Sequence, residues 1–168
     1  MLIETERMIV RDFNQDDVWD LHEIFSDAET MKNCEPAYHF EKTQKFLKEF
    51  CIAKKGAVAA ALKNGNKMIG YILFKPLEDS VYEIGWIFNK QYWRQGYAYE
   101  ACSALMSYGF REMNVHKVVA ETIDIQKSVR LMEKLGMERE GIQRSQTKSI
   151  FGAWVDLYLY GKLQIDGK

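Results

Sequence analysis

The stretch from Glu83 to Ala98 constrains this chain most, because an apolar strand, a short loop and a helix start follow one another directly. Its sequence is EIGWIFNKQYWRQGYA. The first N–H groups of a helix have no partner within the helix, and the helix dipole adds partial positive charge there. Gly96 lacks the Cβ that would keep a ligand away from this backbone, and Ala98 is small enough to keep the next turn open. The stretch therefore predicts a phosphate or pyrophosphate site at the helix start.

Length and charge narrow the class of protein. At 168 residues, the chain is predicted to form a single domain, residues 1–168, with a substantial core. A net charge of −1 argues against a broad nucleic-acid-binding surface. No segment is apolar over the length that a membrane span requires, and the first residues lack the basic and apolar regions of a signal peptide. We therefore expect a cytoplasmic protein with neither a nucleic-acid nor a membrane partner.

The three cysteines, Cys34, Cys51 and Cys102, are odd in number and widely separated along the chain. This spacing matches no metal-binding motif and is typical of thiols that stay reduced in the cytosol. For each of them, a role as a small buried apolar residue is more common than a catalytic role. The sequence thus predicts no metal site.

Apolar periodicity and turn residues predict an alternation of strands and helices. The predicted strands cover residues 8–13, 57–62, 67–74, 81–88, 117–123, 137–146 and 153–161. The predicted helices cover residues 15–25, 41–54, 98–113 and 126–135, with a short helical turn and a loop over 27–40. Gly136 suits the C-cap of the last helix. Because a helix connects the fourth strand to the fifth, these two strands should run parallel.

Four sequence blocks, in a defined order, cover nearly the whole chain. They span residues 4–11, residues 83–86 together with 92–101, residues 128–137 and residues 152–156. In these blocks the chain resembles the GNAT superfamily of acetyl-coenzyme A-dependent N-acetyltransferases, and most of all its RimJ/RimL branch of ribosomal-protein N-terminal acetyltransferases. The resemblance implies an α+β, three-layer GNAT fold. Its sheet is mixed, mostly antiparallel and twisted, with helices on both faces, and predicted strands four and five are parallel and splayed.

The resemblance also implies acetyl-coenzyme A (acetyl-CoA) as cosubstrate. Backbone amides of residues 94–98 would hold the pyrophosphate of CoA. The pantetheine arm would pair, like an added strand, with the free edge of predicted strand four. The residues implied to contact the coenzyme are Trp86, Ile87, Phe88, Trp93, Arg94, Gln95, Gly96, Tyr97, Ala98, Ser128 and Lys134.

The thiolate of CoA that leaves in such an acetyl transfer needs a proton donor. Many GNAT proteins have a tyrosine at the position of Met132, and methionine cannot donate a proton. The RimJ/RimL branch uses a serine at the start of this helix instead, and the resemblance implies this role for Ser128. The branch's asparagine, three residues earlier, is Ile125 here. A serine in a first turn can also do no more than satisfy the backbone.

Glu83 is the candidate proton acceptor. It alternates with Gly85 and Ile87 on a central strand, where a carboxylate is unusual. A purely structural carboxylate and a base that acts through a water chain both remain open. A main-chain N–H near Ile87 is expected to stabilise the oxyanion.

The segment between the first two predicted helices is implied to close over the acceptor. The candidate acceptor-binding residues there are acidic, aromatic or sulfur-containing: Glu29, Met31, Cys34, Glu35, Tyr38 and Phe40. Such a lining suits a cationic amine and does not identify which one.

The acceptor class is therefore left open by the sequence. A peptide N-terminus and a small-molecule amine, such as a polyamine, an antibiotic or an amino acid, fit equally. A CoA-binding sensor module without catalysis is a third reading, and a homodimer is also open. A nucleotide phosphate loop is disfavoured, because no Lys-Ser/Thr follows the second glycine.

Overall fold

Backbone hydrogen bonds join eight strands into one sheet in the computed structural model of the protein. The structure describes residues 1–167, so the final residue of the predicted domain 1–168 lies outside the described residues. The strands are β1 (Leu2–Glu4), β2 (Met8–Asp12), β3 (Ala57–Leu62), β4 (Met68–Glu78), β5 (Val81–Phe88), β6 (Lys117–Thr122), β7 (Glu138–Lys148) and β8 (Trp154–Leu163). Their order across the sheet is β1-β2-β3-β4-β5-β6-β8-β7.

Five α-helices accompany the sheet within the described residues. They are α1 (Val18–Phe25), α2 (Ala28–Met31), α3 (Phe40–Phe46), α4 (Tyr97–Glu112) and α5 (Ser128–Lys134). None of the helices within residues 1–167 is long and apolar enough to cross a lipid bilayer.

The helices cover both faces of the sheet, as predicted. Leu105 of α4 and Met132 of α5 belong to one core cluster with Ile84 of β5. Leu21 of α1 belongs to a second cluster, against which Ile87 of β5 packs. Successive residues of a strand point to opposite faces, so β5 supplies side chains to both clusters.

The pairing of β5 with β6 confirms the predicted parallel and splayed strands. All other neighbouring strands are antiparallel, whereas β5 and β6 run parallel. Their pairing ends at Glu83 opposite Val119, although β5 continues to Phe88. The last five residues of β5 therefore face a gap instead of a strand.

Two elements differ from the sequence prediction. The strand β1 was not predicted, since three residues are too short to show a period. The predicted helix 41–54 is α3 followed by a wider π-helical segment, Leu47–Ala53. Phe50 stacks on Phe46 with ring centroids 5.0 Å apart, and the N–H of Gly56 donates to the Phe50 carbonyl. A Cβ at Gly56 would overlap the Phe50 ring, so this ending needs glycine.

A buried ion pair joins β2 to the turn that precedes α1. The Arg11 guanidinium donates two hydrogen bonds of 2.8 Å to the two carboxylate oxygens of Asp17. The Asp17 carboxylate also accepts from the N–H of Asn14, and the Asn14 side chain caps the same turn. Asp17 is 4% exposed, so the pair is largely removed from water.

We expect Asp17→Ala to lower the free energy of unfolding by about 3 kcal/mol, because it leaves a buried guanidinium unpaired. Chemical denaturation measures the loss. Asp16→Ala, in the same turn but exposed, is the control and should stay within about 0.5 kcal/mol of the parent. Equal losses in the two variants would contradict the importance of the pair.

Candidate active site

The gap between β5 and β6 exposes an unpaired strand edge. The N–H of Asn89 donates to the Ile69 carbonyl on β4 at 2.9 Å. Backbone groups two residues apart point to the same side of a strand, so the N–H of Ile87 also faces β4. The backbone groups of Trp86 and Phe88 then face the gap. The free N–H closest to the expected oxyanion position therefore belongs to Trp86 or Phe88, rather than to Ile87.

The loop after β5 is anchored by a buried amide. The Asn89 side chain is 4% exposed and accepts a hydrogen bond of 3.0 Å from the N–H of Gln91, capping a 3-10 turn over Lys90–Tyr92. Its amide donates to Glu23 of α1 at 2.9 Å. The loop is thus tied to the layer of helices on the Ile87 face of the sheet.

The predicted phosphate-binding residues lie together at the start of α4. Arg94 and Gly96 have φ angles of 61° and 83°, in the left-handed region that glycine adopts without strain. Gly96 is the N-cap of α4 and supplies no capping side chain, so the first N–H groups of this 16-residue helix are open to a ligand. A Cβ at Gly96 would lie 3.4 Å from Nη2 of Arg7.

Side chains around this loop close one side of the gap. The Trp93 indole donates to the Phe88 carbonyl at 2.8 Å, and Nζ of Lys127 lies 4.3 Å from the centre of the Trp93 ring. Arg94 and Gln95 are exposed, and Ala98 is half-buried. The loop, the end of β5 and the start of α5 therefore meet at one place.

Ser128 is the first residue of α5 and is half-buried. The Asp124 carboxylate accepts from two N–H groups before the helix, those of Gln126 and Lys127, both at 3.0 Å. Within residues 1–167, no side chain or backbone group hydrogen-bonds the Ser128 hydroxyl, so it is available to a ligand. Met132 is 2% exposed and lies in the core, which explains why an apolar residue stands there.

Lys134 on α5 and Ile125 before α5, two positions that the sequence analysis considered, lie at the surface. Nζ of Lys134 lies 4.4 Å from the centre of the Tyr99 ring, on the side of α4. Ile125, at the position of the branch's asparagine, is 57% exposed.

Two carboxylates occupy the sheet face opposite α4. Ile84 of β5 and Ala120 of β6 point into the core under α4, so Glu83 and Glu121 point the other way. Nζ of Lys75 lies 3.3 Å from the Glu83 carboxylate. Partial desolvation and the nearby charge of Glu83 raise the pKa of Glu121, and Lys75 opposes this shift. A carboxylate with a raised pKa suits proton transfer.

A cavity of about 180 Å³ adjoins Glu121. Its lining comes from the loop after α2, the end of β6, the end of β7 and the β7–β8 turn: Asn33, Cys34, Glu121, Thr122, Ile123, Thr147, Lys148, Ser149, Ile150 and Leu157. The lining surface is mostly polar, and among these ten residues Glu121 is the carboxylate and Lys148 the cation. The cavity can accommodate a small polar or cationic group.

The structure brings Cys34 to this cavity and places the other five predicted acceptor residues elsewhere. Met31 and Tyr38 are buried in the core with α1, because their apolar surfaces pack there, and the Tyr38 hydroxyl donates to Glu35. Glu29 lies 3.8 Å from Nζ of Lys90. Phe40 stacks on the exposed Trp19 with ring centroids 4.5 Å apart.

Sequence reasoning missed Glu121 and the β7–β8 residues of the cavity. Glu121 carried a usable signal, because it is a single carboxylate between the apolar run 118–120 and the pair Thr122 and Ile123. The turn residues near Ile150 carried none, because only the folded sheet brings them beside β6.

Comparison with known proteins points to the same family that the sequence blocks resemble. A model of the acetyltransferase (GNAT) domain matches residues 7–138. The chain is 37% identical over 173 residues to the uncharacterized N-acetyltransferase YnaD of Bacillus subtilis, with 98% of each chain covered. A GNAT-family acetyltransferase structure from Bacillus anthracis has a TM-score of 0.90 at 34% identity, covering 98% of this chain and 99% of that one.

A more distant structure shares the fold. It is a ribosomal-protein-S5-alanine acetyltransferase from Vibrio fischeri, with a TM-score of 0.83 at 21% identity over 100% of this chain and 99% of that one.

We expect Gly96→Val to abolish the rise in melting temperature that millimolar CoA gives the parent, because the added branch occupies the space in front of the free N–H groups. Differential scanning fluorimetry measures the rise. Gly65→Val is the matched control: Gly65 also has a positive φ, 80°, but no atom lies within 4 Å of its added Cβ. If Gly96→Val keeps the full CoA-induced rise in melting temperature, the assignment of the phosphate site to this loop is wrong.

Proposed function

Because the chain belongs to the GNAT family of acetyltransferases, we propose that it transfers the acetyl group of acetyl-CoA to a primary amine by direct attack. Enzymes of this family are acyltransferases that use acetyl-CoA as donor. The observation that carries the proposal is the gap past Glu83, which adjoins both the Gly96 loop and the cavity beside Glu121. A donor and an acceptor can approach one another there from opposite sides.

The donor side uses the free edge of β5 and the start of α4. The pantetheine arm of CoA carries two amides, which can pair with the gap-facing backbone of Trp86 and with the N–H of Phe88, whose carbonyl already accepts from Trp93. The phosphates fit the N–H groups after Gly96, with Arg94 nearby as a cation. The other proposed coenzyme contacts are Ile87, Trp93, Gln95, Tyr97, Ala98, Ser128 and Lys134.

The chemistry requires a neutral amine. An ammonium proton passes to a carboxylate, Glu83 or Glu121, directly or through water, and the freed nitrogen attacks the thioester carbonyl carbon. The N–H of Trp86 or Phe88 stabilises the oxyanion that forms. The carbon–sulfur bond then breaks, and the thiolate takes a proton from Ser128 or from a water bound to it. The nitrogen loses its second proton, which passes through water to replace the proton that the donor gave up. No covalent acetyl-enzyme is needed.

We propose a peptide N-terminus as the acceptor, in keeping with the RimJ/RimL-like sequence blocks. The cavity has room for one terminal residue, and Phe151 and Trp154 beyond it are 83% and 61% exposed. Such side chains offer apolar contact to the residues that follow a peptide terminus. A small cationic amine is the second candidate, because Glu121 supplies a negative charge in a cavity of that size.

A screen distinguishes these acceptors. Tetrapeptides with different first residues and a panel of polyamines, aminoglycosides and amino acids are each incubated with acetyl-CoA, and thiol release is followed. We expect turnover with one class of amine above the rate of acetyl-CoA hydrolysis. Hydrolysis alone with every amine would refute the proposed transfer.

Ser128→Ala should lower kcat several-fold while leaving the Kd for CoA within about twofold, because the hydroxyl is needed after binding. Isothermal titration calorimetry gives the Kd and thiol release gives kcat. Ser107→Ala, exposed on α4, serves as the control. Turnover at the parental rate would mean that bulk water or another group protonates the thiolate.

Replacement of the catalytic carboxylate should slow the reaction by ~10²-fold at neutral pH, the lower end of the usual effect of a positioned base. We expect Glu83→Gln or Glu121→Gln to regain activity towards pH 10, where the free amine is abundant. The raised pKa of Glu121 also predicts that the parental rate falls with acidification at a higher pH than for an ordinary glutamate.

The rate of each variant from pH 6 to pH 10 tests this prediction. Glu138→Gln, exposed on β7, is the control. A deficit that stays constant over the pH range would indicate a structural or binding role for that carboxylate.

A further inference from the structure

The turn between β1 and β2 is bound to the first turn of α4 through Glu100. The Thr5 hydroxyl donates to Oε1 of Glu100 at 2.6 Å, and the N–H of Arg7 donates to the same oxygen at 2.8 Å. Nε of Arg7 donates to Oε2 at 2.7 Å. The Glu100 side chain is 17% exposed. Burial alone would raise the pKa of Glu100, but the hydrogen bonds from Thr5 and Arg7 outweigh it and lower the pKa, so the carboxylate is charged.

From this anchor, the Arg7 guanidinium reaches the phosphate-binding loop. Its Nη1 donates to the Gln95 carbonyl at 2.9 Å, and its Cζ lies 4.0 Å from the centre of the Tyr97 ring. Its Nη2 lies beside Gly96, 3.4 Å from the position of an added Cβ. One side chain thus contacts Gln95 and Tyr97 and lies beside Gly96 between them.

The start of α4 has no capping side chain, unlike the starts of α2 and α3. Asp27 caps α2 and His39 caps α3 through their side chains, by accepting from free N–H groups. Gly96 cannot do so, and a capping side chain would occupy the N–H groups that an anion needs. Arg7 binds a carbonyl instead, so it can hold the loop while those N–H groups stay free.

We propose that Arg7 is a positioning residue for the phosphate-binding loop, with Glu100 fixing its guanidinium. This inference rests on the donor half of the proposed function and does not depend on the acceptor. The planar guanidinium is needed, because it binds Glu100 through Nε and Gln95 through Nη1 at the same time. A lysine at this position keeps the charge but offers a single point of contact.

The test compares Arg7→Gln and Arg7→Lys with Arg139→Gln, a control at an exposed arginine of β7. CoA affinity is measured by isothermal titration calorimetry and kcat with the best acetyl acceptor. We expect both Arg7 variants to raise the Kd about tenfold, equivalent to about 1.4 kcal/mol, with kcat within about twofold of the parent. The control should bind like the parent.

Glu100→Gln keeps the side-chain shape and retains one acceptor. It should therefore also raise the Kd for CoA, but by less than the Arg7 variants do. Amide hydrogen exchange at Glu100, whose N–H donates to the Gly96 carbonyl at 3.0 Å, should accelerate in Arg7→Gln, which a loss confined to the β1–β2 turn would not cause.

Three results would overturn the inference. One is a lowered melting temperature with unchanged Kd, which indicates a structural role alone. Another is full recovery of affinity in Arg7→Lys, which indicates direct charge attraction. The third is a parent that binds no CoA, which refutes the phosphate site itself and with it the donor half of the proposed function. If the parent binds CoA and only acetyl transfer is absent, the inference stands and the acceptor proposal falls.

Discussion

The candidate active site depends on one constraint, that β5 keeps one edge paired to β4 while its other edge stays free past Glu83. Unpaired backbone groups inside a sheet are costly unless something satisfies them. A ligand that is extended, narrow and supplied with amides meets this need. The proposed fit of the donor therefore depends on backbone groups of β5 as well as on side chains.

Polar contacts tie α1 to β4 and to the residue that follows β5. Lys67 before β4 bridges Asp20 and Glu23 of α1 at 3.1 and 2.7 Å. The Asp20 carboxylate also accepts from the N–H of Met68, and Glu23 accepts from Asn89 at the end of β5. These contacts join α1 to β4 and to the end of β5, so they fix the loop after β5 against the helices on the Ile87 face of the sheet.

The elements assigned to the donor could be predicted from the sequence, because strand, glycine and helix start follow one another within sixteen residues, 83–98. The cavity assigned to the acceptor could not. Its lining combines residues near Cys34, Glu121 and Ile150, which only the sheet order brings together. The predicted acceptor residues Met31 and Tyr38 carried an ambiguous signal, since an aromatic or sulfur-containing side chain suits a core as well as a pocket.

The β7–β8 turn has a consequence for how such proteins diverge. Ser149 and Ile150 of this turn line the cavity, yet neither belongs to either core cluster. Substitutions there remove no core packing, whereas the loop around Gly96 is bound on several sides. If the cavity holds the acceptor as proposed, its lining at this turn can change over evolutionary time without loss of core packing or of the loop around Gly96.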